Sequence, residues 1–241
     1  METGVQPSQR NTENVTQKQI GMLSVIIPVL NEEEIIESNS KKLSDFLDSL
    51  GIKYEIIICD NGSTDATREK GEKIHNVRFF SIAEKGAVGW AFRESVGISK
   101  FDNIVSLDMD LSSDLGFIPR ALELLEKNSM VIGTKKEMQR RPLHRMLISS
   151  VYIAMARILL GLGFSDYSMS SKAYRKQDIG KHIGSLVRDS SYVIQLAYLL
   201  KREGRQVAQI PVSCEDNRKS RFSIKREAYG RFIDLMRLRL S

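Results

Sequence analysis

Apolar and polar positions divide the chain into alternating segments from residue 23 onwards. Residues 23–30 (LSVIIPVL) form an unbroken apolar run, the pattern of a strand covered on both faces. Asn31 followed by Glu32, Glu33 and Glu34 reads as a helix N-cap with acids in the first turn, where the helix dipole favours them. The helix is expected to run to Leu50 and stop at Gly51. Residues 54–60 (YEIIICD) predict a second buried strand. Residues 61–65 then predict a turn into a helix with a Ser/Thr cap. A third strand is expected over 77–82, a helix over 86–99, and a fourth strand over 103–110 (NIVSLDMD).

Strands alternating with helices imply right-handed crossovers and a parallel sheet. Such sheets bind ligands outside the carboxyl ends of their strands. That rule singles out residues 28–32, 60–65 and 108–112, all polar and all placed to converge. Beyond Ile132 and Gly133 the pattern changes. Two or three amphipathic helices are expected, interrupted near 166–174, then a short strand over 206–212 and a basic terminal helix. The division read from the sequence is a disordered leader over 1–20, an α/β half over 21–135, and a second half over 136–241, together one domain.

A length of 241 residues with 41% hydrophobic content suits one α/β domain with an appendage. Cys59 and Cys214 supply neither a disulfide framework nor a zinc pattern. The net charge of +6 lies entirely in residues 201–241, where 11 Lys/Arg face 5 Asp/Glu. That surplus suits an anionic partner such as phosphate groups or an anionic membrane surface. With aromatics at 7% and no stacking motif beside the basic residues, no nucleic-acid partner is expected. Residues 146–164 are the most apolar stretch, but Ser149, Ser150 and Arg157 interrupt it, so no membrane span is expected there, and a helix lying in the membrane interface is left open. On the terminal helix, Ile224, Ala228, Phe232 and Leu235 fall on one stripe, suited to a membrane surface or to the domain's own core.

Chemistry concentrates at the end of the fourth strand. Strand alternation would point Asp108 and Asp110 the same way, with Ser112 beyond them. Paired carboxylates repel unless a cation lies between them, and Mg2+ or Mn2+ with oxygen ligands suits that place beside a diphosphate. The Asp-x-Asp of a haloacid-dehalogenase-type phosphatase also follows a strand, usually the chain's first core strand. Here, however, the motif closes the fourth strand, which makes that a distant alternative.

In these features the sequence resembles the family-2 glycosyltransferases of GT-A fold, a Rossmann-like, mostly parallel sheet flanked by helices. Within them it resembles the dolichol-phosphate (polyprenyl-phosphate) mannosyl- and glucosyltransferases. The matching stretches are VIIPVLNEEE (25–34), YEIIICDNGSTDAT (54–67), EKGAVGWAFRESV (84–96), IVSLDMDLSSD (104–114), IGT (132–134), RMLISS (145–150), DYSMSSKAYRK (166–176) and RKSRFS (218–223). The resemblance implies that Pro28, Leu30 and Glu32 line a nucleoside pocket and that Asp60 with Asn61 bonds the base. It implies that Met109 and Lys135 also face the donor, and that Asp108, Asp110 and Ser112 hold Mg2+ or Mn2+ on the diphosphate. Arg145, Arg218 and Arg221 would meet the acceptor phosphate, with Asp110, Arg145 and Arg218 central to catalysis. The donor would be GDP-mannose or UDP-glucose and the acceptor a polyprenyl phosphate. The chain would then sit peripherally on a cytoplasmic membrane face, or on a separate membrane subunit. Asn61, Ser112, Lys135 and Ser170 depart from the family's commoner Asp, Gln, Arg and Gly. A hydroxyl acceptor, the alternative, would need a carboxylate base, for which Asp189 is the candidate.

Overall fold

The computed structural model describes residues 21–83, 87–135, 143–165, 167, 169–214 and 235–239, with the backbone alone over 143–149. In chain order the elements are β1 (Leu23–Val29), α1 (Ile36–Ser49), β2 (Tyr54–Asp60), α2 (Thr67–Gly71), β3 (Val77–Ser81), α3 (Val88–Ile98), β4 (Asn103–Ser106), α4 (Phe117–Leu125), β5 (Met130–Lys135), α5 (Leu143–Leu160), β6 (Lys172–Arg175), α6 (Lys176–Ile179), a 3-10 turn (Gly180–Ser185), α7 (Tyr192–Arg202) and β7 (Val207–Val212).

The strands form one sheet in the order β3-β2-β1-β4-β6-β5-β7. Every pairing is parallel except those of β6, which runs antiparallel to both β4 and β5. The carboxyl ends of β1, β2, β4 and β5 therefore share one edge. This is the mostly parallel, helix-flanked sheet that the sequence pattern leads one to expect.

Alternation along β1 explains why its run is apolar throughout. Val25, Ile27 and Val29 face α1 and α4, packing with Leu43, Leu47 and Phe117. Ile26 faces the other way, into a core with Phe92 of α3, Ala156 of α5 and Leu196 of α7. With both faces covered, each fully buried Ile or Leu contributes about 1.5–3 kcal/mol. Leu235 and Leu238 are buried in that second core. The stripe read on the terminal helix thus packs on the domain at its described end, while Ile224, Ala228 and Phe232 lie outside the described residues.

Three local readings need correction. Asn31 does not cap a helix: at φ 56° it occupies the left-handed region, which asparagine tolerates, and α1 begins only at Ile36. The helix after β2 has no Ser/Thr cap. Its N-cap is Ala66, and the Asp65 carboxylate accepts from the Thr67 amide at 3.0 Å. β4 ends at Ser106, where its pairings with Ile26 and Lys172 both stop. Strand alternation therefore does not orient Asp108 and Asp110. β6 occupies part of the stretch read as an interruption near 166–174.

Candidate functional site

Beyond Ser106 the chain makes one more ladder bond, from the Leu107 amide to the Ile26 carbonyl at 3.1 Å, and then turns. The Leu111 amide donates to the Asp108 carbonyl at 3.2 Å, and Leu111 sits at φ 47°, a strained setting for a branched side chain. Met109 is the anchor of this turn. Its side chain is 2% exposed and belongs to the α1/α4 core, and its carbonyl accepts from Asn39 of α1 at 2.9 Å. Met109 therefore holds the loop from below, which corrects its reading as a donor-facing side chain. With the methionine turned inward, the flanking aspartates come together on the outer side.

Asp108 is exposed at the sheet edge. The protein packed around it nevertheless raises its carboxyl above the ordinary range, and the Asp110 charge raises it further. Lys172, a hydrogen bond from Ser170, and the more weakly acting Glu32 complete its surroundings, the first two lowering the carboxyl and Glu32 raising it. The open side of Asp108 limits that shift. Asp110 accepts from the Ser112 amide at 3.0 Å, so Ser112 supports the pair through its backbone. Asp108, Leu111, Ser112, Ser113 and Ser170 line a shallow depression.

These groups fit a hard divalent cation in one particular way. Two neighbouring carboxylates repel in its absence, and Asp110 adds to the burial that already raises Asp108. Among the described residues no group of three or more His, Cys, Asp or Glu could hold a metal. A pair of carboxylates suits an ion that draws its other oxygens from a diphosphate and water.

The ends of β1 and β2 form the neighbouring wall. The Asn31 amide donates to Ser63 Oγ at 2.9 Å, and Asn31 Oδ1 accepts from the Thr64 amide at 2.8 Å. The Glu32 amide donates to Thr67 Oγ1 at 2.7 Å, while the Ala66 amide donates to Glu33 at 3.0 Å. Pro28, Leu30 and Glu32 are half-buried along this wall. Asp60 is 3% exposed and accepts from the Ser63 amide at 3.0 Å and Ser81 Oγ at 3.3 Å. Asn61, at 4%, accepts from the Ala87 amide at 3.0 Å, fixing the start of α3.

A third wall comes from the second half. The Gly89 and Trp90 amides at the start of α3 both donate to the Arg188 carbonyl, at 2.7 and 3.3 Å. The Arg188 guanidinium stacks 4.1 Å above the Trp90 ring. Four residues on, Tyr192 reaches the sheet, where burial pushes its hydroxyl up to about 12, eased by the Tyr174 and Ser106 hydroxyls and raised by Asp108. Asp189 is engaged locally, accepting from the Ser191 amide at 2.7 Å.

Pro28, Leu30, Glu32, Asp60, Asp108, Asp110 and Ser112 are thus brought to one edge. Lys135 ends β5 at the same edge, two strand spacings or about 10 Å from β4. Arg145 lies in α5, its side chain outside the described set, and Arg218 and Arg221 also fall outside it. Lys172, Ser170, Tyr192 and Asn39 were not read as site residues. Lys172 lies within the matching stretch 166–176, but nothing in the sequence marks it out until β6 is known to be a buried strand.

The model of glycosyl transferase family 2 matches residues 24–183, more than half of the chain. The chain belongs to that family. A haloacid-dehalogenase-type phosphatase is thereby set aside. Among curated relatives, the undecaprenyl-phosphate 4-deoxy-4-formamido-L-arabinose transferases of Salmonella paratyphi B and Salmonella typhimurium are each 27% identical over 222 residues, covering 90% of this chain. The chain spans 66% of those relatives' length. Among solved structures, glucosyl-3-phosphoglycerate synthase from Mycobacterium tuberculosis matches at TM-score 0.70 and 22% identity, in complex with UDP and with Mn2+ and UDP-glucose. These cover 90% of this chain and 80% and 78% of theirs, which establishes a shared fold.

Proposed function

We propose that this family-2 glycosyltransferase moves a sugar, with inversion, from a nucleotide-sugar to a polyprenyl phosphate at a membrane surface. The observation that carries the reading is the Asp108–Asp110 pair, crowded and mutually repelling at the carboxyl edge of the sheet. Asp108 and Asp110 would hold Mg2+ or Mn2+, and the ion would offset charge on the departing nucleoside diphosphate. The M. tuberculosis enzyme of like fold was crystallised with Mn2+ and with Mg2+, which supports a divalent ion.

The acceptor follows from chemistry and from the relatives. A phosphate oxygen is already ionised near neutral pH, so attack on the anomeric carbon needs no general base. Asp189, the base candidate for a hydroxyl acceptor, accepts from the Ser191 amide in the segment leading into α7. Relatives named for undecaprenyl phosphate point the same way. Arg145, Arg218 and Arg221 are the cations we assign to the acceptor phosphate, and Lys135 to the donor side. GDP-mannose and UDP-glucose are the first donors to test, and the relatives' substituted arabinose widens the choice.

Among the described residues no helix is long and apolar enough to cross a membrane. Val151 and Ile158 on α5 are 52% and 81% exposed, an apolar outer face suited to a lipid surface or a membrane subunit. The test supplies undecaprenyl phosphate in vesicles, a panel of labelled nucleotide-sugars and Mn2+. Label entering the lipid phase supports the reading. Release of free sugar alone would reject the acceptor, and absence of any turnover across the panel would reject the donor.

A further inference from the structure

Lys172 is a cation in an enclosed place. Its residue is 5% exposed, it opens β6, and its backbone pairs with Ser106, two residues before Asp108. Its ammonium donates to the Met169 carbonyl from within its own segment. An enclosed charge of this kind needs opposite charge nearby. Asp108 supplies some of it: the Lys172–Ser106 register sets the lysine beside the end of β4, Ser170 lines the same depression as Asp108, and the lysine charge acts on that carboxylate. Ser170, two residues before Lys172, donates to the same carboxylate. One segment thus delivers a hydrogen bond and a fixed positive charge to the first aspartate of the pair.

The consequence is electrostatic. A divalent cation approaching the two carboxylates also meets the enclosed ammonium of the neighbouring strand, which offsets part of their attraction. A diphosphate approaching the same edge meets the reverse: two carboxylates repel it and the ammonium attracts it. Resting on the donor reading above, we propose that Lys172 is a positioning residue that sets the order of assembly. It disfavours the cation alone and favours the nucleoside diphosphate, so that the cation arrives with or after the diphosphate rather than before it.

The test uses the full chain, Mn2+ and UDP or GDP. Lys172→Gln removes the charge yet keeps an N–H for the Met169 carbonyl; Lys172→Arg keeps the charge. Mn2+ binding without nucleotide is followed by electron paramagnetic resonance, and nucleotide binding in EDTA by calorimetry, neither needing turnover. Lys172→Gln is expected to tighten Mn2+ binding roughly 10-fold and to weaken metal-free diphosphate binding by a similar factor, as loss of one partly buried charge predicts. Lys172→Arg should match the natural chain in both. A merely structural lysine would, on replacement, weaken both ligands together, and that result or no change in either overturns the proposal. Should the glutamine variant not fold, Lys172→Met preserves the apolar stem and repeats the comparison. Failure of the natural chain to bind any nucleoside diphosphate with Mn2+ would instead sink the donor reading itself.

Discussion

Two stretches of the same sheet edge, built from the same residue types, are put to opposite uses. Where β1 and β2 end, Asn31 accepts from the Thr64 amide, Glu33 accepts from the Ala66 amide and donates its own to Asp65, and Asp65 accepts from the Thr67 hydroxyl. Asp65 shows the result. Burial pushes its carboxyl up, but the Thr67 hydroxyl and amide and the Glu33 amide outweigh this and hold it below the usual range. Where β4 ends, Asp108 is held above that range by its packing and by Asp110. One region has satisfied its charge with its own donors, and the other keeps a charge that its own groups leave in excess. The difference separates scaffold from candidate chemistry more sharply than composition does, since both loops read as acidic and polar.

The comparison breaks most visibly at Asp110. Asp110→Asn should lower sugar transfer about 10²–10³-fold, the scale seen when one group aimed at developing charge is removed. Because it also relieves repulsion on Asp108, the melting temperature should hold or rise. A parallel loss of activity and of melting temperature would place Asp110 with the scaffold instead.

The wall between the two regions supplies the next effect. A Cβ on Gly89 would stand 2.2 Å from the Val187 carbonyl oxygen and 2.7 Å from that of Asp189. Gly89→Ala must therefore push α3 away from the 187–189 segment, costing about 1–3 kcal/mol as overpacking does. Denaturant unfolding measures that loss. An unchanged midpoint would show that the segment yields freely.

Within the scaffold loop the expected change is smaller. Thr67 is fully buried, takes the Glu32 amide at 2.7 Å and bonds Asp65. Thr67→Val keeps its shape and leaves the Glu32 amide unpaired, costing about 1–2 kcal/mol. Nucleotide binding should weaken only as far as the loop loosens, so a binding loss far exceeding the stability loss would make Thr67 part of the donor contact.

Much of this edge was legible in the sequence, and the failures have a common cause. Apolar runs located β1 and β2 because a strand buried on both faces leaves no ambiguity of period, while the half-buried edge strand β3 was read from a shorter mixed stretch. Asp108 and Asp110 were found for the same reason, as acids directly following such a run. Period says nothing about left-handed residues: Asn31 at φ 56° looks like a cap in sequence and acts as a cross-loop staple. Nor could it reveal β6, four residues whose partners β4 and β5 are both remote in sequence. Lys172 came into view only with that pairing. Tyr192 likewise reads as an apolar helix position, and its approach to Ser106 is a product of the fold.

The smallest effect sharpens the comparison best, because the two regions should respond to pH with opposite sign. The Asp65 carboxyl is depressed in the folded state, so its contribution to stability is present above the unfolded carboxylate value and fades as pH falls through the folded one. The Asp108 carboxyl is raised, so its contribution is complete below the unfolded value and is lost as pH climbs through the raised one. Melting curves of the metal-free protein, collected over about pH 3 to 8 to span the carboxylate range, separate the two. Relative to the natural chain, Asp65→Asn should lose most stability at the high end, where the carboxylate it removes is fully ionised and bonded. Asp108→Asn should gain at the high end, where it removes a charge crowded by Asp110, and change little at the low end. Adding Mn2+ with a nucleoside diphosphate should erase the advantage of Asp108→Asn while leaving the deficit of Asp65→Asn in place, because only the first carboxylate is held in excess for a cation to neutralise. Two difference curves of the same sign would mean that both loops are scaffold, and the division between them would fall.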